Sequence, residues 1–152
     1  MQVPIKVLAL DVEGTLISNA MSQFPRPGLK AFLAFCQQVF PEVVLFTAVS
    51  EPRTLKCMQT LVEEGSVEPE VASIVYIPWE GPKKDLSFVQ KLYPDASLEE
   101  ILIVDDLEEY IVPEQRSQWV PIESWVSPYV DTDRELERIQ GVLRGYASMK
   151  EG

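Results

Sequence analysis

The sequence contains no histidine. Every mechanism that needs an imidazole base is thereby excluded, as is every histidine-ligated metal site. Cysteine is nearly as scarce: Cys36 and Cys57 are the only two, both fall in helical patterns, and neither has the C-x-x-C spacing of a metal or redox motif. Two buried free thiols are predicted. Basic residues number 13 against 24 acidic ones, a formal net charge of −11, and no basic cluster occurs. Binding along a nucleic-acid backbone depends on such clusters, so no nucleic-acid partner is expected. No apolar run reaches the length of a membrane span, and Lys6 and Asp11 break the opening apolar run where a signal peptide would continue it. The expectation is a cytoplasmic protein with no membrane partner.

What is present is a globular mixture, 46% hydrophobic and 24% charged over 152 residues, which predicts one domain spanning residues 1–152 around a single core. The chain is organised by its first apolar run, Ile5 to Leu10, which has strand length and ends in Asp11, Val12, Glu13 and Gly14. In an open α/β sheet, ligands collect outside the carboxyl ends of the strands, so this places an acid where a small molecule or phosphate would arrive. Taken alone, the same residues also read as a strand ended by a turn.

After a loop over residues 17–27, Leu29, Phe32, Leu33, Cys36, Val39 and Phe40 recur at helical spacing as far as Pro41. Val43 to Phe46 is a strand candidate ending in Thr47, followed by a helix with Ser50 as N-cap and Leu55, Met58, Leu61 and Val62 facing inward. Ile74 to Ile77 is a third strand, broken by Pro78. Leu86, Val89, Leu92 and Tyr93 then mark a helix starting at Lys84 and Asp85. A cation at a helix start is disfavoured by the dipole unless something needs it there. Ile101 to Val104 is the most strand-like run and ends in Asp105 and Asp106. Trp119 to Ile122 is a weaker fifth strand whose proline argues for an edge. A last helix is read over residues 131–146, with Leu136, Ile139, Val142, Leu143 and Tyr146 on one face and a frayed tail after Ala147. Alternating strands and helices predict an α/β, three-layer Rossmann-like fold: a parallel sheet of about five strands flanked by helices.

Three strand ends thus bring Asp11 with Glu13, Thr47, and Asp105 with Asp106 to one rim, with Lys84 nearby. Those groups are what phosphoryl transfer through an aspartyl-phosphate requires. Asp11 would attack phosphorus, and Mg²⁺ would shield the anionic phosphate from the anionic attacker. Asp11, Asp106 and the backbone carbonyl of Glu13 suffice as protein ligands for Mg²⁺. Thr47 would hold phosphoryl oxygens, Lys84 would neutralise remaining charge, and Glu13 would serve as acid and then base. Receiver domains of response regulators share these groups in another order, with the acidic pair first and the lysine last.

Leu8-Ala9-Leu10-Asp11-Val12-Glu13-Gly14-Thr15-Leu16, Leu45-Phe46-Thr47, Lys84, and Ile101 through Asp106 resemble the four motifs of haloacid-dehalogenase (HAD) superfamily phosphatases, in order. Arg26-Pro27-Gly28-Leu29, Thr47-Ala48 and Lys84-Asp85-Leu86-Ser87 are similar to the branch that includes the NLI-interacting-factor-like and polymerase C-terminal-domain phosphatases and small magnesium-dependent phosphatases. The resemblance implies a HAD-like fold, a metal ligand at Asp106, and a supporting role for Asp105, with Glu109 joining through a water. In that branch the acid is an aspartate, giving Asp-x-Asp, whereas this chain has Glu13. Its Asp-x-Glu-Gly-Thr also resembles enolase-phosphatases, which carry a helical cap between the first two motifs. The interval from Asp11 to Thr47 leaves no space for one, and that from Thr47 to Lys84 is filled by one helix and one strand. A capless site is therefore expected. It suits a phosphorylated protein or a small phosphomonoester.

Several positions keep a second reading. Lys83 competes with Lys84, and Trp79, Trp119 and Trp125 read as packing or loop anchors, Trp79 lying nearest the rim. Glu13 and the open site also allow a catalytically weak or inactive relative that binds a phosphorylated partner.

Overall fold

A computed structural model describes residues 3–147. Its strands are β1 (Val7–Leu10), β2 (Glu42–Leu45), β3 (Val75–Tyr76), β4 (Ile101–Asp105) and β5 (Trp119–Pro121). Its helices are α1 (Leu29–Val39), α2 (Glu51–Glu63), α3 (Ser87–Leu92) and α4 (Glu135–Ala147), joined in part by short 3-10 turns. The sheet order is β3-β2-β1-β4-β5, all parallel, so β1 is central and β5 forms an edge as its proline requires. This is the expected α/β architecture.

β1 is buried along its whole length, and its alternation explains the layers. Leu8 and Leu10 join a core made with α1, α2 and α4 on one face of the sheet. Val7 and Ala9 join a second core with Phe46, Ile77 and Val89 on the α3 face. Between β1 and β2 the chain has only a loop and α1, and between β2 and β3 only α2 and one 3-10 turn. No helix among the described residues is long and apolar enough to cross a membrane.

Three helix faces differ from the periodicity reading. Leu55 is 41% exposed, because the buried stripe of α2 is Thr54, Cys57, Met58 and Leu61, one residue away around the helix. A small polar residue and a cysteine occupy inward positions that an apolar count assigns to leucine. Leu92 and Val142 likewise sit on the flanks of their helices, with Val89 and with Leu136, Ile139 and Leu143 facing in. Ser50 occupies the N-cap position but makes no side-chain cap bond. The last helix starts at Glu135, later than the acidic cluster implied. Both cysteines are free and buried. The tail beyond Ala147 lies outside the described residues.

Candidate active site

The register Leu10 to Leu45 and Leu10 to Val104 sets the next residues of three strands side by side. Backbone pairing continues one step further, with Asp11 N–H donating to Val104 O at 3.0 Å and Phe46 N–H to Leu10 O at 2.8 Å. Asp11 follows Val7 and Ala9 in the alternation, and Asp105 follows Ile101 and Ile103, so both acids emerge on the α3 face of the sheet. That face receives Lys84.

Lys84 lies in the segment before α3 rather than inside the helix, two residues short of its N-cap Leu86, and it is the two aspartates it reaches that hold a cation there. Its side chain is fully buried, and Nζ donates to Asp11 Oδ1 at 2.8 Å and Asp105 Oδ2 at 2.5 Å. Lys83 instead donates to Glu109 O at 2.6 Å. Geometry therefore distinguishes the two lysines. The Lys84 backbone N–H donates to Tyr110 O at 2.7 Å, and the Tyr110 ring lies 4.8 Å from Nζ. Tyr110 packs edge-on against Trp79, which packs edge-on against Phe46. The Trp79 indole N–H donates to Thr47 O at 2.7 Å, so this tryptophan anchors the end of β2.

Thr47 is buried, and its hydroxyl accepts the Val49 N–H at 3.1 Å. Glu13 is held by its carboxylate, whose Oε2 accepts the Ala20 N–H at 2.6 Å. Asp105 has both oxygens engaged, Oδ2 by Lys84 and Oδ1 by the Leu107 N–H at 2.9 Å. Asp106 accepts a hydrogen bond from Ser124 on Oδ2 at 2.6 Å. Its Oδ1 lies 3.4 Å from the Thr15 hydroxyl, which also donates to Asp11 Oδ2 at 2.8 Å. Glu109 is exposed and stands outside this cluster.

Burial pushes the Asp11 carboxyl well above the usual carboxylate range; Lys84 pulls it back only in part, and Asp105 and Asp106 push it further up. Asp105 is raised for the same first reason. Burial would lower Lys84, but attraction to the two aspartates outweighs it and holds the ammonium charged. One lysine against three carboxylates leaves the site short of positive charge. Asp11, Asp105 and Asp106 offer oxygens that all lie within 4.8 Å of one another, a hard donor set of the kind a divalent cation takes, and such an ion would relieve that shortage.

Two contributors were not legible as site residues. Arg26, 1% exposed, donates to Gly14 O at 3.1 Å, Thr15 O at 3.2 Å and Glu123 O at 2.7 Å, and forks onto Asp133 at 2.7 and 3.1 Å. It fixes the turn after Asp11 from below. Gly14 holds φ at 75°, and a Cβ there would stand 2.5 Å from Asp106 Oδ2. The turn must therefore carry glycine for Asp106 to approach.

A search of curated proteins finds no match. Residues 6–151 match the family of NLI interacting factor-like phosphatases, nearly the whole chain including every acid described above. Fold, order of elements and matched span agree, and the chain belongs to the NLI interacting factor-like phosphatases, enzymes of the HAD type.

Proposed function

We propose that the chain is a magnesium-dependent phosphohydrolase that works through a phosphoryl group carried on Asp11, with a phosphorylated protein or a small phosphomonoester as substrate. The observation that carries this reading is the position of Asp11, buried at the end of the central strand between Lys84 and the Asp105–Asp106 pair. Its two oxygens accept from Lys84 and from the Thr15 hydroxyl, which fix the carboxylate at the carboxyl end of the central strand, where ligands of such sheets collect. Asp11 and Asp106, with the Glu13 backbone carbonyl, would hold Mg²⁺, which supplies charge neutralisation for the phosphate. Asp105 acts by orienting Lys84.

In the first step an Asp11 oxygen bonds to phosphorus as the bond to the leaving oxygen breaks, and Glu13 gives that oxygen its proton. In the second, Glu13 takes a proton from water, the water oxygen attacks phosphorus, and Asp11 leaves as a carboxylate. Lys84 and the Thr47 hydroxyl stabilise the phosphoryl oxygens in both steps. Lys84 already sits at Asp11, so this charge needs little rearrangement.

The hydrogen bond from Ala20 to Glu13 favours a second reading, a slow or silent relative that binds phosphorylated partners, because it removes an acceptor site from the proposed base. Hydrolysis of p-nitrophenyl phosphate, with and without Mg²⁺, decides between them. The enzyme reading expects turnover that EDTA suppresses and Asp11→Asn abolishes; inert wild type that gains activity in Glu13→Asp supports the silent relative. Inertness in both leaves phosphate binding without product as the function.

A further inference from the structure

We propose that Gln115 is a positioning residue for the reaction: its amide grips the two residues after Lys84 and thereby holds the Lys84 ammonium at Asp11. The proposal rests on the phosphatase reading and adds to it a side chain that touches none of the reacting groups. Gln115 is only 9% exposed, and no step of the proposed reaction uses it. A glutamine amide carries one acceptor oxygen and two N–H donors, and burying such a group without partners is costly. Both ends of this amide bond to one short segment.

Gln115 Oε1 accepts the Leu86 N–H at 3.0 Å, and Nε2 donates to Asp85 Oδ1 at 3.0 Å. Leu86 is 0% exposed, so its N–H is cut off from water and Gln115 supplies the acceptor it needs. Asp85 Oδ1 also accepts the Ser87 N–H at 2.9 Å, and that bond, helped by the one from Gln115, holds the carboxyl below its usual range. On the other side, the Lys84 N–H donates to Tyr110 O at 2.7 Å. Lys84 is thus gripped before and after by Tyr110 and Gln115, and both lie in the stretch that follows Asp105 and Asp106. The lysine and the acidic pair share one mounting.

Lys84 needs that mounting more than the aspartates do. Asp11 and Asp105 leave a hydrogen-bonded sheet, whereas Lys84 lies between β3 and α3, in neither a strand nor a helix. Its four-carbon stem is flexible as well. Helix α3 cannot supply the grip by itself, since it has six residues and its N-cap, Leu86, makes no side-chain cap bond. With Nζ 2.8 Å from Asp11 Oδ1, a backbone shift of about 1 Å would carry the ammonium out of hydrogen-bond range. Misplacement on that scale can cost about a hundredfold in rate.

Gln115→Met keeps most of the volume and removes both hydrogen bonds. With p-nitrophenyl phosphate in Mg²⁺, its kcat should fall about tenfold with KM changed by less than about twofold, while circular dichroism shows a folded protein. Lys84→Met and Lys84→Met/Gln115→Met complete a cycle. A residue that acts through Lys84 adds nothing once Lys84 is gone, whereas a merely structural one costs the same factor again. Undiminished kcat in Gln115→Met, or an equal loss in both backgrounds, overturns the proposal.

Acylation by acetic anhydride, mapped by mass spectrometry, reads the position of Lys84 without turnover and without the Lys84→Met variant. Lys84 should react about tenfold faster in Gln115→Met than in wild type, as expected for the loss of two hydrogen bonds, with the exposed Lys56 of α2 unchanged. Ile139→Ala loosens the core on the other face of the sheet and should leave Lys84 at the wild-type rate. Equal Lys84 rates in wild type and Gln115→Met, or labelling in Ile139→Ala as fast as in Gln115→Met, overturns the proposal. If wild type hydrolyses nothing, the phosphatase reading has failed, and the labelling alone decides whether Gln115 holds Lys84.

Discussion

Replacing Arg26 by methionine should be among the most damaging single substitutions away from the reacting atoms. The guanidinium is wholly buried, and Asp133, to which it forks, is only 14% exposed. Methionine removes the charge and all five hydrogen bonds while filling much of the volume, which leaves Asp133 without its cation and the carbonyls of Gly14, Thr15 and Glu123 short of a donor. Breaking a buried pair on one side costs about 3–5 kcal/mol, and the partial access of water to Asp133 places the loss near the lower end, about 3 kcal/mol. Urea unfolding followed by tryptophan fluorescence reads it as a lower midpoint with an unchanged slope. Arg26→Met/Asp133→Asn should recover about 1–2 kcal/mol relative to the sum of the single losses, since the orphaned charge is gone. Arg26→Lys should fall between, because an ammonium keeps the charge and loses the planar fork. A loss under about 1 kcal/mol for Arg26→Met, or strict additivity in the double variant, would refute this account.

Two other perturbations follow from the same geometry. Gly14→Ala places a side chain at positive φ and against Asp106, so about 1–2 kcal/mol of stability should be lost and the Mg²⁺ concentration for half-activation should rise; a metal titration unchanged from wild type would count against Asp106 as a ligand. Hydrogen bonding from Arg138, then from the Glu123 backbone, holds the Glu135 carboxyl down to about 2 from its ordinary 4.5. The folded state therefore binds this proton later than the unfolded chain as pH falls, so the stabilisation is full above about pH 4.5 and is lost toward pH 2. Urea midpoints at pH 6 and pH 3 should converge in Glu135→Gln more than in wild type, and equal pH dependence in the two would oppose it.

Much of the fold is legible in the residues because each strand of the sheet centre is a continuous apolar run, as burial on both faces demands. Three such runs ending in Asp11, Thr47 and Asp105 make the rim readable before any geometry is known. The α2 face was misread because Thr54 and Cys57 are inward-facing positions that hydrophobicity alone does not select, while Leu55 is apolar and exposed. The 3-10 turns over residues 98–118 have no periodicity to announce them. Arg26 stood out only as part of a segment similar to the phosphatase branch, and its burial escapes a sequence reading for a different reason: a loop arginine is ordinarily solvated, and its partner Asp133 lies 107 positions away. The signal for Thr15 was present, a hydroxyl four residues after Asp11, yet only the fold shows that it touches both Asp11 and Asp106.

The central claim is that phosphate passes through Asp11. Rapid acid quench of wild type during turnover of a phosphorylated substrate in Mg²⁺, followed by peptide mass spectrometry, tests it most directly. The account predicts one added phosphoryl group on the peptide containing Asp11, lost on treatment with hydroxylamine and missing in Asp11→Asn. Turnover at full rate with that peptide unmodified, or with the phosphoryl group on another residue, would contradict it.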